Sequence, residues 1–316
     1  MNEAKQWRRR ALMLTGLLLA GASLASIVRL SRSTTPTAAV GESAERTALV
    51  QRDHLRLGWS PWADAEVVSL MAEQLIETHY DVPVERVMAD IGIQYQSVAR
   101  GDLDLMLMAW LPGTHRDYWE RVRDQVLDLG PMYSGKLGWV VPDYVPASEL
   151  NSISDLSDPA LAKRFGNRVQ GIDPGSGLNQ SSEQALKSYR LKDIELISAS
   201  SAAMTAVLAQ AIREQRWVVV TSWTPHWMFA RYQLRFLEDP EGVFGGTERI
   251  HAVARLGLDQ QFPQVTDFLS RFHIPDQELS AVLLNAQNTS AQEAVMSYLK
   301  LHPERVRYWL SGEMNP

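Results

Sequence analysis

The chain has 316 residues, with 31 Lys and Arg against 37 Asp and Glu, a net charge of −6, and no cysteine. That length allows a large core and two domains, while the missing cysteine removes disulfides, thiolate chemistry, Cys-ligated zinc and a lipid-modified Cys. The first 32 residues carry +5, leaving about −11 for the remainder, and an acidic body argues against nucleic acid, whose phosphates require a basic face.

In chain order, Lys5 and Arg8-Arg9-Arg10 precede Ala11 to Val28, eighteen residues without a charge, and Ser23-Leu24-Ala25 offers the small residues of a cleavage site. Residues 1–32 therefore read as a signal peptide or signal anchor. Cleavage is favoured, but residues 11–28 reach the length of a span, so a membrane tether stays open. Either way the positive start stays inside and the body is exported to the periplasm. Residues 33–51, rich in Ser, Thr, Ala and Glu, read as a linker.

The body opens with a strand at His54 to Gly58, the aromatic turn Trp59-Ser60-Pro61-Trp62, and a helix over Ala65 to His79 with Val67, Val68, Met71, Leu75 and Ile76 at helical spacing. A strand at Arg86 to Asp90 and a helix from Gln94 to Arg100, closed by Gly101, come next. Asp102 to Met108 turns from charged–apolar alternation into an apolar run, a strand that brings Trp110 to its carboxyl end before the Pro112-Gly113 turn. Arg116 to Gln125 reads as a polar helix and Lys136 to Val141 as a strand ended by Pro142. Helix Ile153 to Phe165, strand Arg168 to Ile172, helix Gln180 to Tyr189, strand Ile194 to Ile197 and helix Ala202 to Glu214 then alternate. Strand Trp217 to Thr221 leads to Trp223 and the Pro225 turn. A strand at Ile250 to Ala254 and helices from Gln264 to Leu310 finish the chain. Alternation of this kind predicts an α/β protein with parallel sheets.

Two turns share one design: Trp110-Leu-Pro-Gly-Thr-His115 and Trp223-Thr-Pro-His226-Trp227 each set an indole and a nearby His at a strand end, where ligands gather in open α/β sheets. Ten Trp outnumber nine Tyr and seven Phe, and Trp offers the best cation–π surface of any side chain. Gly175-Ser-Gly-Leu178 lies between a strand and a helix. It lacks the third glycine of a dinucleotide fingerprint, and Pro174 stands where a hydrolase elbow needs Gly. A seat for a small anion on the helix N-terminus, a plain tight turn and a phosphate site all remain open. His115 fits either an anion donor or a structural helix start. The seven His show no i,i+4 pair, so no metal site is expected, and no catalytic constellation or cofactor motif is present. Aromatic walls with an anion seat specify a compact cation carrying a carboxylate.

At these residues the sequence resembles the substrate-binding proteins of glycine betaine ABC importers, from about Leu55 to Gly312. The likeness is carried by Ala109-Trp-Leu-Pro-Gly-Thr-His115, Gly171-Ile-Asp-Pro-Gly-Ser-Gly177, Ser201-Ala-Ala-Met-Thr205 and Trp223-Thr-Pro-His-Trp-Met-Phe229. The resemblance implies a two-lobed periplasmic-binding-protein fold of type II-like character, with parallel-rich sheets flanked by helices. Lobe 1 spans 52–142 plus 243–316, and lobe 2 spans 143–242. It implies a cage of Trp62, Trp110 and Trp223 around the ammonium, with Trp59 an alternative third wall, and His115 with the amides of Gly177 and Leu178 on the carboxylate. Choline-binding relatives often carry a Tyr and an Asp whose places here look like Leu137 or Trp139, and Pro61, so betaine fits better. The implied partners are a quaternary ammonium ligand and the transmembrane component of an ABC importer, without catalysis. Choline, carnitine or proline betaine as ligand, or an anchored osmolyte-sensing domain, are the alternatives.

Overall fold

In the computed structural model, residues 52–313 are described; the expected export segment at 1–32 and linker at 33–51 lie outside them. Strand β1 (Leu55–Trp59) leads through the Trp62 turn into helix α1 (Ala63–Tyr80), which buries Val67, Val68, Met71, Leu75 and Ile76 along one face. β2 (Val84–Met88) and α2 (Ile91–Arg100) follow, and α2 stops at Gly101, whose φ of 78° is left-handed and whose N–H meets the Ser97 and Val98 carbonyls. All seven residues of β3 (Leu105–Leu111) are buried, as a central strand requires. α3 (Arg116–Val122) ends in a short 3-10 turn at Arg123–Gln125, and β4 then runs for 17 residues, Val126–Pro142.

The single helix expected over Ile153 to Phe165 is broken in two: a 3-10 turn at Ile153–Ser157 precedes α4 (Pro159–Arg164). Asp158 accepts from the Ala160 N–H and starts the second piece, while Pro159 has no N–H to continue the first. β5 (Arg168–Gln170), α5 (Gly177–Ser188), β6 (Glu195–Ile197), α6 (Ser201–Arg213) and β7 (Val220–Thr224) keep the expected alternation. α7 (Trp227–Arg231), β8 (Leu234–Phe236) and β9 (Glu248–Arg255) come next. The chain closes with α8 (Leu258–Gln261), α9 (Pro263–Arg271), α10 (Asp276–Asn288), α11 (Ala291–Leu301) and α12 (Pro303–Ser311). Among the described residues no helix is long and apolar enough to cross a membrane.

The strands lie in the order β2-β1-β3-β9-β4-β7-β5-β6, with β8 on β4. Pairing is parallel at both ends (β2/β1/β3 and β7/β5/β6) and antiparallel in the middle, through β9, β4 and β7. The parallel pattern expected from strand–helix alternation yields there because β4 serves two partners. Val126 to Gly135 pairs with β9, and Lys136 to Val140 pairs with β7. Two register shifts around Gly130 and Pro131 interrupt the first stretch, which hides its period-2 pattern in the sequence. The partner exchange at Gly135/Lys136 divides the sheet into a first half (β1, β2, β3, β9) and a second (β5, β6, β7, β8).

In the first half, buried Asp104 accepts from Arg255 Nε at 2.6 Å, the Arg56 N–H at 2.7 Å and Arg52 Nη1 at 3.2 Å, tying the start of β3 to β1 and β9. In the second half, Trp139 of β4 is fully buried and donates to Ser182 Oγ of α5 at 2.9 Å. Each half thus has its own internal ties, and what meets between them are the carboxyl ends of β1, β3, β5 and β7.

Candidate functional site

At those strand ends a cavity of about 300 Å³, counting its mouth, is lined by Trp62, Asp64, Trp110, Thr114, His115, Leu137, Ile172, Ser176, Gly177, Leu178 and Trp223. The six residues expected to form one site (Trp62, Trp110, His115, Gly177, Leu178 and Trp223) all border it. Trp59 does not. It stays half-buried on β1 with the Arg86 guanidinium 5.3 Å from its ring centre.

Each of the three buried indoles has a partner for its N–H. Trp62 Nε1 donates to Asp173 Oδ2 at 2.8 Å, Trp110 Nε1 to Met108 Sδ at 3.3 Å, and Trp223 Nε1 to Asp64 Oδ1 at 3.0 Å. With the N–H edges tied down, ring faces remain for the cavity. Trp110 rests directly behind Gly135, where a Cβ would fall 2.3 Å from the indole and 2.6 Å from the Thr224 carbonyl oxygen. Gly135 is therefore the only residue type that lets this wall lie back against the sheet. Both turn prolines are in cis peptide bonds, Leu111-Pro112 and Thr224-Pro225.

Asp64 was not expected here. The comparison with choline binders put Pro61 at the acidic position, but the structure sets Asp64, two residues after Trp62, in the cavity wall. Its other oxygen accepts from Tyr133 Oη at 2.9 Å. Burial pushes its carboxyl up to about 6, against the downward pull of the Tyr133 and Trp223 hydrogen bonds. At neutral pH it is thus mostly ionised, with the N-terminus of α1 beside it. An acid in the first turn of a helix ordinarily complements the helix dipole, so nothing in the sequence marks it as a cavity residue.

The same cavity is also lined by N–H donors. Ser176 caps α5 by accepting from the Asn179 N–H at 3.1 Å, and the first two helical amides, of Gly177 and Leu178, have no partner among the described residues. His115 Nδ1 accepts the Trp110 backbone N–H at 3.1 Å, which places the ring proton on Nε2. Burial holds this imidazole neutral, with its ionisation lowered to about 3. Gly177 lies so close to the His115 turn that a Cβ would fall 2.9 Å from His115 Cδ2, the atom bonded to Nε2. The donor edge of His115 and the amide end of α5 are therefore side by side, although they belong to different halves. Buried Glu248 of β9 fixes the turn from behind, accepting from the Thr114 N–H and Oγ1, both at 2.8 Å. The second turn histidine, His226, does not border the cavity; it caps α7 through the Met228 N–H at 3.2 Å and sets its ring edge-on to Trp223, 4.7 Å between centres.

Three indole faces and a buried carboxylate, lining one cavity with three N–H donors, can hold a compact molecule with a diffuse positive end and a negative end. A fully methylated ammonium has no hydrogen to donate, so ring faces are its complement. Among the described residues no group of three or more His, Cys, Asp or Glu is placed to hold a metal.

The model of the substrate-binding domain of ABC-type glycine betaine transport systems matches residues 53–301. The chain belongs to this family. Like other glycine betaine transport substrate-binding domains, it comes from a family of binding proteins rather than enzymes. It is 36% identical over 155 residues to the glycine betaine/carnitine transport binding protein of Listeria monocytogenes, covering 48% of this chain and 52% of that one. The match to a periplasmic glycine betaine/proline betaine-binding protein of Salmonella typhimurium is 27% identical over 44% of this chain and 45% of that one. The chain thus spans about half the length of the curated relatives it matches. Among solved structures, a lactococcal member of the family in its closed, liganded conformation with glycine betaine superposes with a TM-score of 0.75 at 35% identity, over 82% of this chain and 100% of that one.

Proposed function

We propose that this family member binds glycine betaine, or a closely related quaternary ammonium solute, between two lobes and delivers it to an ABC importer outside the cytoplasm. The ammonium would sit among Trp62, Trp110 and Trp223, and the carboxylate on the amides of Gly177 and Leu178 and on His115 Nε2. The observation that carries this reading is that three indoles and Asp64 line the same cavity as His115 and the amide end of α5. The lobes expected at 52–142 plus 243–316 and at 143–242 would follow the two halves of the sheet, with the first boundary drawn back to the β4 exchange at Gly135/Lys136, and the ligand would join them. Desolvated indoles contribute about 0.5–2 kcal/mol each and bonds to an ionised carboxylate about 1.5–3 each. Ordering and lost freedom offset part of this, leaving a Kd of roughly micromolar to tens of micromolar.

Choline is a second reading, favoured by Asp64, because a cation without its own carboxylate gains from a buried negative charge in the cage wall. The test is a calorimetric screen of glycine betaine, proline betaine, choline, carnitine and ectoine. The expected order puts the carboxylated quaternary amines first; no quaternary amine binding more tightly than millimolar would overturn the proposal.

A further inference from the structure

Two of the three cage indoles owe their orientation to the opposite half of the molecule. Trp62 follows β1 in the first half and donates to Asp173, in the loop after β5 of the second half, at 2.8 Å. Trp223 belongs to β7 of the second half and donates to Asp64, in α1 of the first half, at 3.0 Å. Trp110 differs: its N–H goes to Met108 of its own strand.

Each half therefore supplies one indole and one carboxylate, and the two bonds cross the cleft in opposite directions. A hydrogen bond needs its heavy atoms within about 3.2 Å, so neither bond survives separation of the halves. Asp64 is fully buried and has its second oxygen held by Tyr133, also of the first half, at 2.9 Å. Its carboxylate is thus fixed before Trp223 arrives. A carboxylate buried in a cavity wall is costly without hydrogen-bond partners, and the indole N–H is the partner that only closure provides.

We propose that Asp64 and Asp173 are a reciprocal pair of positioning residues that set the Trp62 and Trp223 walls only when the cleft is closed, with Trp110 the wall that stands in either state. The inference rests on the cage proposed above. It makes cage assembly and lobe closure one event: a ligand that fills the cage stabilises both cross-cleft bonds, and breaking either bond loosens a wall and releases the cleft together. A cleft opened by the importer would thereby lose two of its three walls at once, which favours release.

The test is a double-mutant cycle on the full-length chain with glycine betaine, read by calorimetry. Asp173→Ala and Trp62→Phe, which keeps a ring face and removes the N–H, should each weaken binding about tenfold, and the double variant should lose little more than either alone. Asp173→Asn, which retains an acceptor oxygen, should recover most of the loss. Trp110→Phe combined with Asp173→Ala should lose the two effects additively. Additive losses in the Trp62/Asp173 cycle, or wild-type affinity in Asp173→Ala, would overturn the pairing. Asp64→Ala with Trp223→Phe repeats the cycle from the other side, so that a folding defect in one pair leaves the other readable. Should the wild type bind no quaternary ammonium compound, the cage proposal fails by itself. The pair is then judged by a dye pair across the cleft, where Asp173→Ala must shift the distance toward separation, and an unchanged distance refutes it.

Discussion

Replacing Gly177 with Ala probes a close approach between the two halves. A Cβ there would fall 2.4 Å from Thr114 Cγ2, 2.8 Å from the Thr114 carbonyl oxygen and 2.9 Å from His115 Cδ2, where ordinary contact begins at 3.4 Å. The methyl of Thr114 can turn away only by giving up the hydroxyl's bond to Glu248, and its carbonyl cannot, because Glu248 also holds that turn through the N–H. Relief comes from moving α5 away from the His115 turn by roughly 0.6 Å, the difference between the carbonyl contact and ordinary distance. A shift of that size stretches a 2.9 Å hydrogen bond to about 3.5 Å, beyond useful length. Overpacking of about 1–3 kcal/mol and the weakening of one bond to a charged group together cost about 2–4 kcal/mol, or roughly 30- to 700-fold in Kd. Ala is a good residue at the first position of a helix, so the fold of the second half should be undisturbed. The expected result is a Tm without ligand close to wild type, a lost calorimetric signal for glycine betaine, and no thermal stabilisation by it. Wild-type affinity in Gly177→Ala would refute the idea that this contact sets the bound geometry.

The remaining predictions concern the two ends of the ligand. His115→Ala should cost glycine betaine about 1.5–3 kcal/mol through the lost Nε2 donor, while choline should lose only the ~1 kcal/mol of the Trp110 N–H bond that steadies the turn; equal losses measured calorimetrically would make His115 purely structural. Affinity for quaternary amines should fall as pH drops through about 6, because protonating Asp64 removes the charge beside the cation, and Asp64→Asn should flatten that profile; His115 and His226, held neutral down to about 3, do not titrate in this window. The same raised ionisation is a stability statement. The cost of the buried charge is absent below about 3.8 and fully present above about 6, so Asp64→Asn should raise ligand-free stability at pH 7 by up to about 3 kcal/mol in denaturant melts, with no gain at pH 3. Trp110→Ala, Trp223→Ala and Trp62→Ala should each weaken glycine betaine binding about tenfold or more, whereas Trp59→Ala, outside the cavity under Arg86, should change it little.

The fold class, the order of elements and six cavity residues follow from the sequence because their signals are local. Apolar spacing marks α1, Gly101 marks the end of α2, and a Trp beside a Pro turn marks a strand end. Trp110 with His115, and Gly177 with Leu178, are each encoded within a few residues, so a resemblance in short motifs was enough to bring them to one site. What tertiary structure alone decided depends on residues far apart in the chain. The split of β4 between two partners is written in the pairing with β9 and β7, and its bulges at Gly130 and Pro131 erase the local alternation. Asp64 becomes a cavity residue only because Tyr133 and Trp223 close over it; from sequence it is one more acid at a helix start. Gly135 is needed only because Trp110 and the Thr224 carbonyl arrive against it. The choice of Trp62 over Trp59 likewise turns on Asp173, 111 positions away, reaching across to its N–H. Local composition sets which residues can wall a cage, and the approach of the two halves sets which of them do.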